Sequence, residues 1–250
     1  MLEVATISAD IVRSTSLAAG ELIELRKRLQ DLFVEIEGKS PGFWARIVRG
    51  DSIECYVPEY KDVLRIAILM KLLVKMSVSE YDCSAMLKRY GIRFSIGIAS
   101  MQIASKEDDI LNGQAITLSG RNLDELSRKN GSVTDDIISI QPKNMYGRNL
   151  DEITSKNSSM TVFEMEPAPQ TFSNLLNSYV AMLSGMVDSY SAKQAEVIYY
   201  KLLGYKEVDI SERLGIYQSS VNTRATSAQW GLLNGAIKDF EDFDFVRVCG

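Results

Sequence analysis

Two aspartates and one arginine in the first half of the chain are of the types that bind metal ions and phosphates. Asp10 ends an alternating apolar stretch, and Asp51 follows Gly50 between two apolar segments. If these stretches are neighbouring strands, the two carboxylates meet at one edge of a sheet and could hold one or two divalent cations, Mg²⁺ or Mn²⁺. Arg121 could neutralise charge that develops on a phosphate.

The residues after Asp10 are suited to phosphate binding. An amphipathic segment follows three hydroxyl residues, Ser14, Thr15 and Ser16, which are common at helix starts. The free backbone N–H groups of a helix start could receive a nucleoside triphosphate.

Each of these residues also has a structural explanation. Asp10 could simply close a strand end, and Gly50-Asp51 is a common hairpin turn. Arg121 could be a solvated helix residue. Both explanations stay open from the residues alone.

The order of the segments that would position these residues is β-α-β-β-α-β-α. Alternation and helical periodicity predict a ferredoxin-type split βαβ arrangement in an α+β fold. The predicted strands are 2–11, 43–49, 52–56 and 91–103, and the predicted helices run from 14–16 to about 37, over 60–76 and over 113–127. A strand-like stretch at 160–165 ends at Pro167 and Pro169, which predicts a linker and two domains, 1–166 and 167–250.

The segment 191–230 predicts a helix-turn-helix. Ser191 can cap a helix that Gly204 ends, and Gly215 permits a tight turn between a helix over 207–214 and a helix that Ser219 or Ser220 starts. Val208, Ile210 and Leu214 are expected to be buried. The residues expected to contact DNA are Gln218, Ser219, Ser220, Asn222, Thr223, Arg224 and Gln229. An ordinary helical hairpin is the alternative.

This segment resembles the DNA-binding region of sigma-factor and LuxR-type regulators. The matching pieces are S-x-x-Q-x-x-V, then L-L-G-Y-K-x-x-x-I-x-x-x-L-G-I, then Q-S-S-V. Ser211 stands where those families usually have alanine. The resemblance implies that 218–230 is the recognition helix and that DNA is the partner. A homodimer is expected because this helix carries only Arg224 as a cation.

The first 130 residues resemble the catalytic domain of class III nucleotidyl cyclases. The matching pieces are Ala9-Asp10-Ile11-Val12-Arg13-Ser14-Thr15, Arg49-Gly50-Asp51-Ser52, and Gly113-Gln114-Ala115-Ile116 through Arg121. The resemblance implies that Asp10, Asp51 and the carbonyl of Ile11 bind metal. It also implies that Arg121 acts across a head-to-tail dimer.

Three positions depart from the cyclase pattern. Ile47 stands where the family has a base-reading lysine, Ile110 replaces a base-reading acid, and Thr117 replaces a transition-state asparagine. The departures argue against purine cyclisation. The cyclase-like domain joined to a helix-turn-helix resembles the SatD-like bacterial proteins.

Three functions follow as expectations. The first is a DNA-binding transcription regulator whose degenerate cyclase-like domain senses a nucleotide, mediates dimerisation, or does both. The second is a divalent-metal-dependent nucleotidyl cyclase or related phosphoryl-transfer enzyme, with the helices as a regulatory domain. The third is an interaction module in which both sites are vestigial.

Composition narrows these choices. The chain has 250 residues and no histidine, which excludes Ser-His-Asp and Cys-His catalysis and imidazole metal sites. The net charge of −5 means that DNA binding must come from a local surface. The start lacks the features of a signal peptide, and Arg65, Lys71 and Lys75 interrupt the most apolar stretch. A cytoplasmic protein without a membrane partner is expected, in line with three widely spaced cysteines.

Overall fold

The structure is a computed structural model that describes residues 4–12, 14–48, 50–78, 91–130, 161–165, 170–243 and 245. The strands are β1 (Val4–Val12), β2 (Trp44–Val48), β3 (Ser52–Val57), β4 (Gly91–Ala99), β5 (Met101–Ser105), β6 (Ile110–Gly113) and β7 (Thr161–Met165). The helices are α1 (Ala19–Lys39), α2 (Val63–Val78), α3 (Gln114–Asn130), α4 (Gln170–Asp188), α5 (Ala192–Leu202), α6 (Glu207–Leu214), α7 (Gln218–Ser227) and α8 (Trp230–Asp242). Single 3-10 turns cover Ser14–Ser16 and Tyr60–Asp62.

The main sheet has the strand order β2-β3-β1-β4-β7. The first four strands pair antiparallel, and β7 pairs parallel with β4. This is the order that the ferredoxin-type βαββαβ arrangement requires, so the predicted α+β architecture of the N-terminal half is confirmed. The antiparallel hairpin between β2 and β3 turns at Gly50, whose φ of +77° suits glycine.

The two faces of β1 differ because side chains alternate along a strand. Ile7 and Ala9 are fully buried in the main hydrophobic core, which α1 and α2 complete. The opposite face carries Thr6 and Ser8, whose hydroxyls hydrogen-bond Ser119 of α3 at 3.0 and 2.8 Å. The next residue on that polar face is Asp10.

Helix α3 lies very close to β4. A Cβ atom added at Gly97 would lie 2.4 Å from the carbonyl oxygen of Ala115, so only glycine allows this approach. The close packing places α3 directly over the polar face of β1.

One strand differs from its predicted extent. The stretch 91–103 was expected to be continuous, but β4 ends at Ala99 and β5 begins a separate two-stranded sheet with β6. The reason is that the carbonyl of Ser100 accepts the N–H groups of Gln114 and Ala115 at 3.1 and 3.3 Å, which ties the chain to the start of α3. The β5–β6 hairpin was not predicted.

The C-terminal half is helical in its described residues. Ser191 caps α5 as predicted: its hydroxyl accepts the Gln194 N–H at 3.3 Å, and the Gln194 side chain accepts the Ser191 N–H at 2.8 Å. Helix α6 ends at Gly215, whose φ of +61° is left-handed. Ile210 is buried, as expected, but Val208 is 49% exposed, so its predicted burial is wrong. Val208 and Asp209 lie on the exposed side of the short helix.

The expected helix over 218–230 is too long. Helix α7 ends at Ser227, and Gln229 has a left-handed φ of 54° before α8 begins at Trp230. The Ala228 N–H donates to the Arg224 carbonyl at 3.0 Å and closes the last turn. Leu233 and Ile237 of α8, a helix that was not predicted, are buried.

The two halves share one hydrophobic core. Helix α2 packs against α5, and the buried cluster includes residues from β1 through Phe245. Arg65 of α2 forks the carboxylate of Glu241 at 2.6 and 3.0 Å, and Lys39 of α1 donates to the carbonyl of Leu203 at 2.7 Å. The proposed boundary at 166–167 stays a prediction. No helix in the described part of the chain combines the length and apolarity needed to cross a bilayer.

Candidate functional site

The fold brings Asp10 and Asp51 to the same end of adjacent strands. Asp10 lies opposite Ser52 in the β1–β3 ladder, and the backbone N–H of Ile11 donates to the carbonyl of Asp51 at 3.2 Å. This strand pairing is the one expected from the sequence.

The carboxylate of Asp10 is engaged by Arg93 of β4. Nε of Arg93 lies 2.9 Å from Oδ1 of Asp10, and its Nη2 donates to Oδ2. The two residues are directly opposite in the β1–β4 ladder, and their side chains are only 18% and 13% exposed. The contact is therefore a two-point, mostly buried ion pair, which is the strong form of an arginine–carboxylate interaction.

Sequence reasoning missed Arg93, although the chain carried an indication of it. Arg93 alternates with the buried residues Ile92 and Phe94 in an apolar strand, so it shares a sheet face with Ser95 and Gly97. A cation on that face needs a partner, and the facing positions of β1 offer Asp10.

Asp51 is also engaged. The hydroxyl of Ser14, a buried residue, donates to Oδ2 of Asp51 at 2.5 Å. Thr15 is exposed. Ser14, Thr15 and Ser16 were expected to begin α1. They form a separate 3-10 turn instead, because α1 starts later, at Ala19.

The start of α1 already has an anion. The carboxylate of Glu21 accepts the backbone N–H of Ala18 at 2.8 Å. A carboxylate at this position accepts one of the free backbone N–H groups of the helix start and compensates its partial positive charge. The triphosphate assignment to 14–16 stays a prediction.

The remaining cyclase-like positions lie on other elements than the two aspartates: on β2, β6 and α3. Arg121 is exposed in the middle of α3 and lies two residues beyond Ser119, which faces the sheet. Two residues along a helix is more than half a turn, so Arg121 projects away from β1. Thr117 donates its hydroxyl to the Gly113 carbonyl at 2.9 Å. Ile47 is half-buried in β2, and Ile110 is 44% exposed in β6.

The carboxylate oxygens at this end of the sheet do not fit the ligand set of a divalent cation. Both oxygens of Asp10 accept from Arg93, and one oxygen of Asp51 accepts from Ser14. Within the described ranges, no three residues of the histidine, cysteine, aspartate and glutamate types are grouped to hold a metal. Mg²⁺ and Mn²⁺ prefer about six oxygen ligands, several of them free carboxylates or water.

A second candidate surface lies on α7. Val221 and Ala225 are buried, 0% and 4% exposed, in the main core beside α5 and α6. The helix also carries exposed polar residues, and four of them from its first two turns form what we call the α7 outer face: Gln218, Ser219, Asn222 and Thr223. These four of the residues expected to contact DNA are therefore on the protein surface.

Other predicted contact residues are placed differently. Ser220 is half-buried. Arg224 is half-buried and lies 3.6 Å from the carboxylate of Glu196 on α5. Gln229 lies outside α7, in the connection to α8. Tyr217, which was not predicted, is 84% exposed immediately before α7 and lines an open cleft with Ser211 of α6.

The charge around α7 is nearly balanced. The segment 191–230 contains five basic and four acidic residues. Several cations are held by the chain itself: Lys201 pairs with Glu207 at 2.7 Å, and Arg213 stacks on the rings of Tyr200 and Tyr205 at 5.3 and 4.9 Å. The surface is polar and not strongly basic.

Comparison with known proteins yields structural likenesses alone. No protein-family model and no curated protein matches the chain. Two structures of a bacterial light-regulated adenylyl cyclase are 18% identical over 51% of this chain, with TM-scores of 0.35 and 0.33. The guanylyl cyclase Cya2 is 12% identical over 57% of this chain and 86% of its own, with a TM-score of 0.33. This chain spans 40% of the first adenylyl cyclase chain and 71% of the second. Each is a partial overlap with a nucleotidyl cyclase, at low identity.

Proposed function

We propose that this chain is a DNA-binding transcription regulator that reads duplex DNA with α7. The observation that carries the proposal is the exposed α7 outer face, on a helix that Val221 and Ala225 anchor in the hydrophobic core. A three-residue connection beginning at Gly215 joins α6 to α7. A short helix, a glycine-containing turn and a second helix with a free polar side is the arrangement of a helix-turn-helix.

The residue types of the α7 outer face suit base edges. Glutamine and asparagine can pair with adenine through two hydrogen bonds, and serine and threonine can contact bases or phosphates. None of the four residues is acidic, so none repels the phosphate backbone. Arg224 can contribute a phosphate contact only if it exchanges Glu196 for DNA.

The weak local charge favours a homodimer. Phosphate contacts supply most of the affinity of DNA-binding proteins, and this surface has few free cations to make them. Two copies of α7 on successive half-sites would double the contacts and provide symmetry. We therefore also expect a shallow dependence of affinity on salt.

The N-terminal half would sense a nucleotide, mediate dimerisation, or do both. Support comes from the core it shares with the helices, through which a change in the sheet could reach α7. The alternative, a metal-dependent nucleotidyl cyclase, is weakened by the Arg93 contact to Asp10. It is weakened further by the departures at Ile47, Ile110 and Thr117.

The test compares the DNA affinity of the parent chain with that of a variant carrying one substitution on α7. The change is Thr223→Glu, which places a negative charge on the face that would meet the DNA. The matched control is Ser178→Glu on α4. Both residues are exposed helix residues whose hydroxyls donate to the carbonyl four residues earlier, at 2.9 and 3.0 Å. A duplex selected from a random pool at low salt would be titrated in fluorescence anisotropy.

We expect Thr223→Glu to weaken binding by about tenfold or more, because one lost base contact costs about 1–3 kcal/mol and the new charge adds repulsion. Ser178→Glu should bind as the parent chain does. Absence of DNA binding by the folded parent, or equal loss in both variants, would refute the proposal.

A further inference from the structure

We infer that the guanidinium of Arg93 takes the place of a divalent cation at Asp10, so that the native chain does not bind Mg²⁺ or Mn²⁺ between Asp10 and Asp51. The inference concerns the N-terminal half and does not depend on DNA binding.

The strand pairing fixes the geometry of the contact between Asp10 and Arg93. Asp10 and Arg93 are fixed opposite each other by the β1–β4 ladder, on the sheet face that α3 covers. Two nitrogen atoms of the guanidinium each contact a different oxygen of the same carboxylate. A cation bound to Asp10 would need at least one of these oxygens at about 2.0–2.2 Å, the spacing of a Mg²⁺ or Mn²⁺ ligand.

Electrostatics also disfavour a divalent cation beside the Asp10–Arg93 pair. Both side chains are mostly buried, 18% and 13% exposed, so their charges are weakly screened by water. The positive guanidinium would repel a divalent ion beside it. If the ion displaced Arg93, the guanidinium would lose its ion pair with Asp10. A second arginine–carboxylate contact of this sheet, in which Nε and Nη2 of Arg46 both contact Oε2 of Glu54, is more exposed, at 26% and 29%.

Asp51 also has hydrogen-bond partners within the chain. One of its oxygens accepts from the buried hydroxyl of Ser14, and its backbone carbonyl accepts from Ile11. The carboxylates therefore already have donors from the chain itself. Any nucleotide that the N-terminal half binds would have to do so without a metal bridge through Asp10.

The test is a titration of the full chain with Mn²⁺ alone, with bound and free ion distinguished by electron paramagnetic resonance. Four proteins are compared: the parent, Arg93→Gln, Arg93→Gln with Asp10→Asn, and the matched control Arg46→Gln. Circular dichroism shows which variants fold.

We expect the parent and Arg46→Gln to show no saturable binding. Arg93→Gln should gain a site at least about tenfold tighter than any residual binding of the parent, since removing one repelling charge and freeing two oxygens favours the cation. The added Asp10→Asn change should abolish this site.

Two results would overturn the inference. One is stoichiometric Mn²⁺ binding by the parent that Asp10→Asn removes. The other is a folded Arg93→Gln chain that gains no site. If Arg93→Gln does not fold, Arg93→Lys takes its place: it keeps the charge and should still exclude Mn²⁺, and binding by the folded lysine variant would contradict the inference.

Discussion

At the scale of single residues, the most unusual group is the buried cation Lys71. Its side chain is 2% exposed and lies 2.9 Å from the carboxylate of Asp188, at the end of α4. The ammonium also lies 6.0 Å from the ring centroid of Phe94, and Lys75 donates to the carbonyl of Asp188. Burial lowers the pKa of Lys71, and the charge of Asp188 opposes that shift.

We expect Asp188→Asn to destabilise the protein by about 3–5 kcal/mol, because it leaves a buried charge without its counter-ion. The matched control is Glu37→Gln, which breaks the exposed pair with Lys106 and should cost less than about 1 kcal/mol. Urea denaturation gives both values. Similar costs for the two variants would contradict the prediction.

The pH dependence of the Asp188→Asn variant follows from the direction of the shift. The folded pKa of Lys71 lies below its unfolded value, so between the two the unfolded chain binds more protons, and the free energy of unfolding rises with pH. Without Asp188 the folded pKa falls further and this window widens. The cost of Asp188→Asn should therefore shrink when denaturation is repeated from about pH 7 to about pH 10. A constant cost would show that Lys71 stays charged.

At the scale of secondary-structure elements, the connection between α6 and α7 depends on one backbone conformation. Gly215 has a left-handed φ of +61°, and a Cβ added there would meet nothing within 4 Å. The Ile216 N–H donates to the Ser211 carbonyl at 3.0 Å and closes the end of α6. The constraint at Gly215 is therefore conformational and not steric.

We expect Gly215→Ala to destabilise the protein by about 1 kcal/mol, because alanine disfavours a left-handed φ. The matched control is Gly235→Ala within α8, where a Cβ also meets nothing within 4 Å. That change should stabilise by about 0.5–1 kcal/mol, because alanine is the better helix former. Thermal melting of both variants checks the opposite signs; the same sign in both would refute the explanation.

At the scale of the whole molecule, the sheet and the helices are joined by packing and by charge. Helix α2 contacts both β4 and α5, and the Arg65 fork on Glu241 links it to α8. Tyr60 packs edge-on against Phe245 at 5.5 Å between ring centroids. Because one hydrophobic cluster includes residues of both halves, we expect them to unfold together.

The two tryptophans of the chain test this cooperativity. Trp44 lies in β2 and Trp230 begins α8, so Trp230→Phe leaves a probe of the sheet and Trp44→Phe leaves a probe of the helices. Urea transitions followed by fluorescence in the two variants should each coincide with the circular-dichroism transition of the same protein. Separate transitions within either variant would mean that the halves unfold independently.

The sequence alone determined the elements that depend on local patterns. Alternation and the turn at Gly50 predicted the β2–β3 hairpin, and the order of strands and helices predicted the ferredoxin-type sheet. Ser191 and Gly215 marked helix ends because capping depends on a few adjacent residues. The neighbourhood of Asp10 and Asp51 followed from the same topology.

Only the tertiary structure decided which groups these residues contact. Asp10 is neutralised by Arg93, which is 83 residues away in the sequence, and Lys71 by Asp188 on a different helix. The ends of β4 and α7 were likewise set by hydrogen bonds and by the burial of α3 and α8. Periodicity specifies which side of an element is apolar, but the partner of a charged side chain depends on how distant segments meet in space.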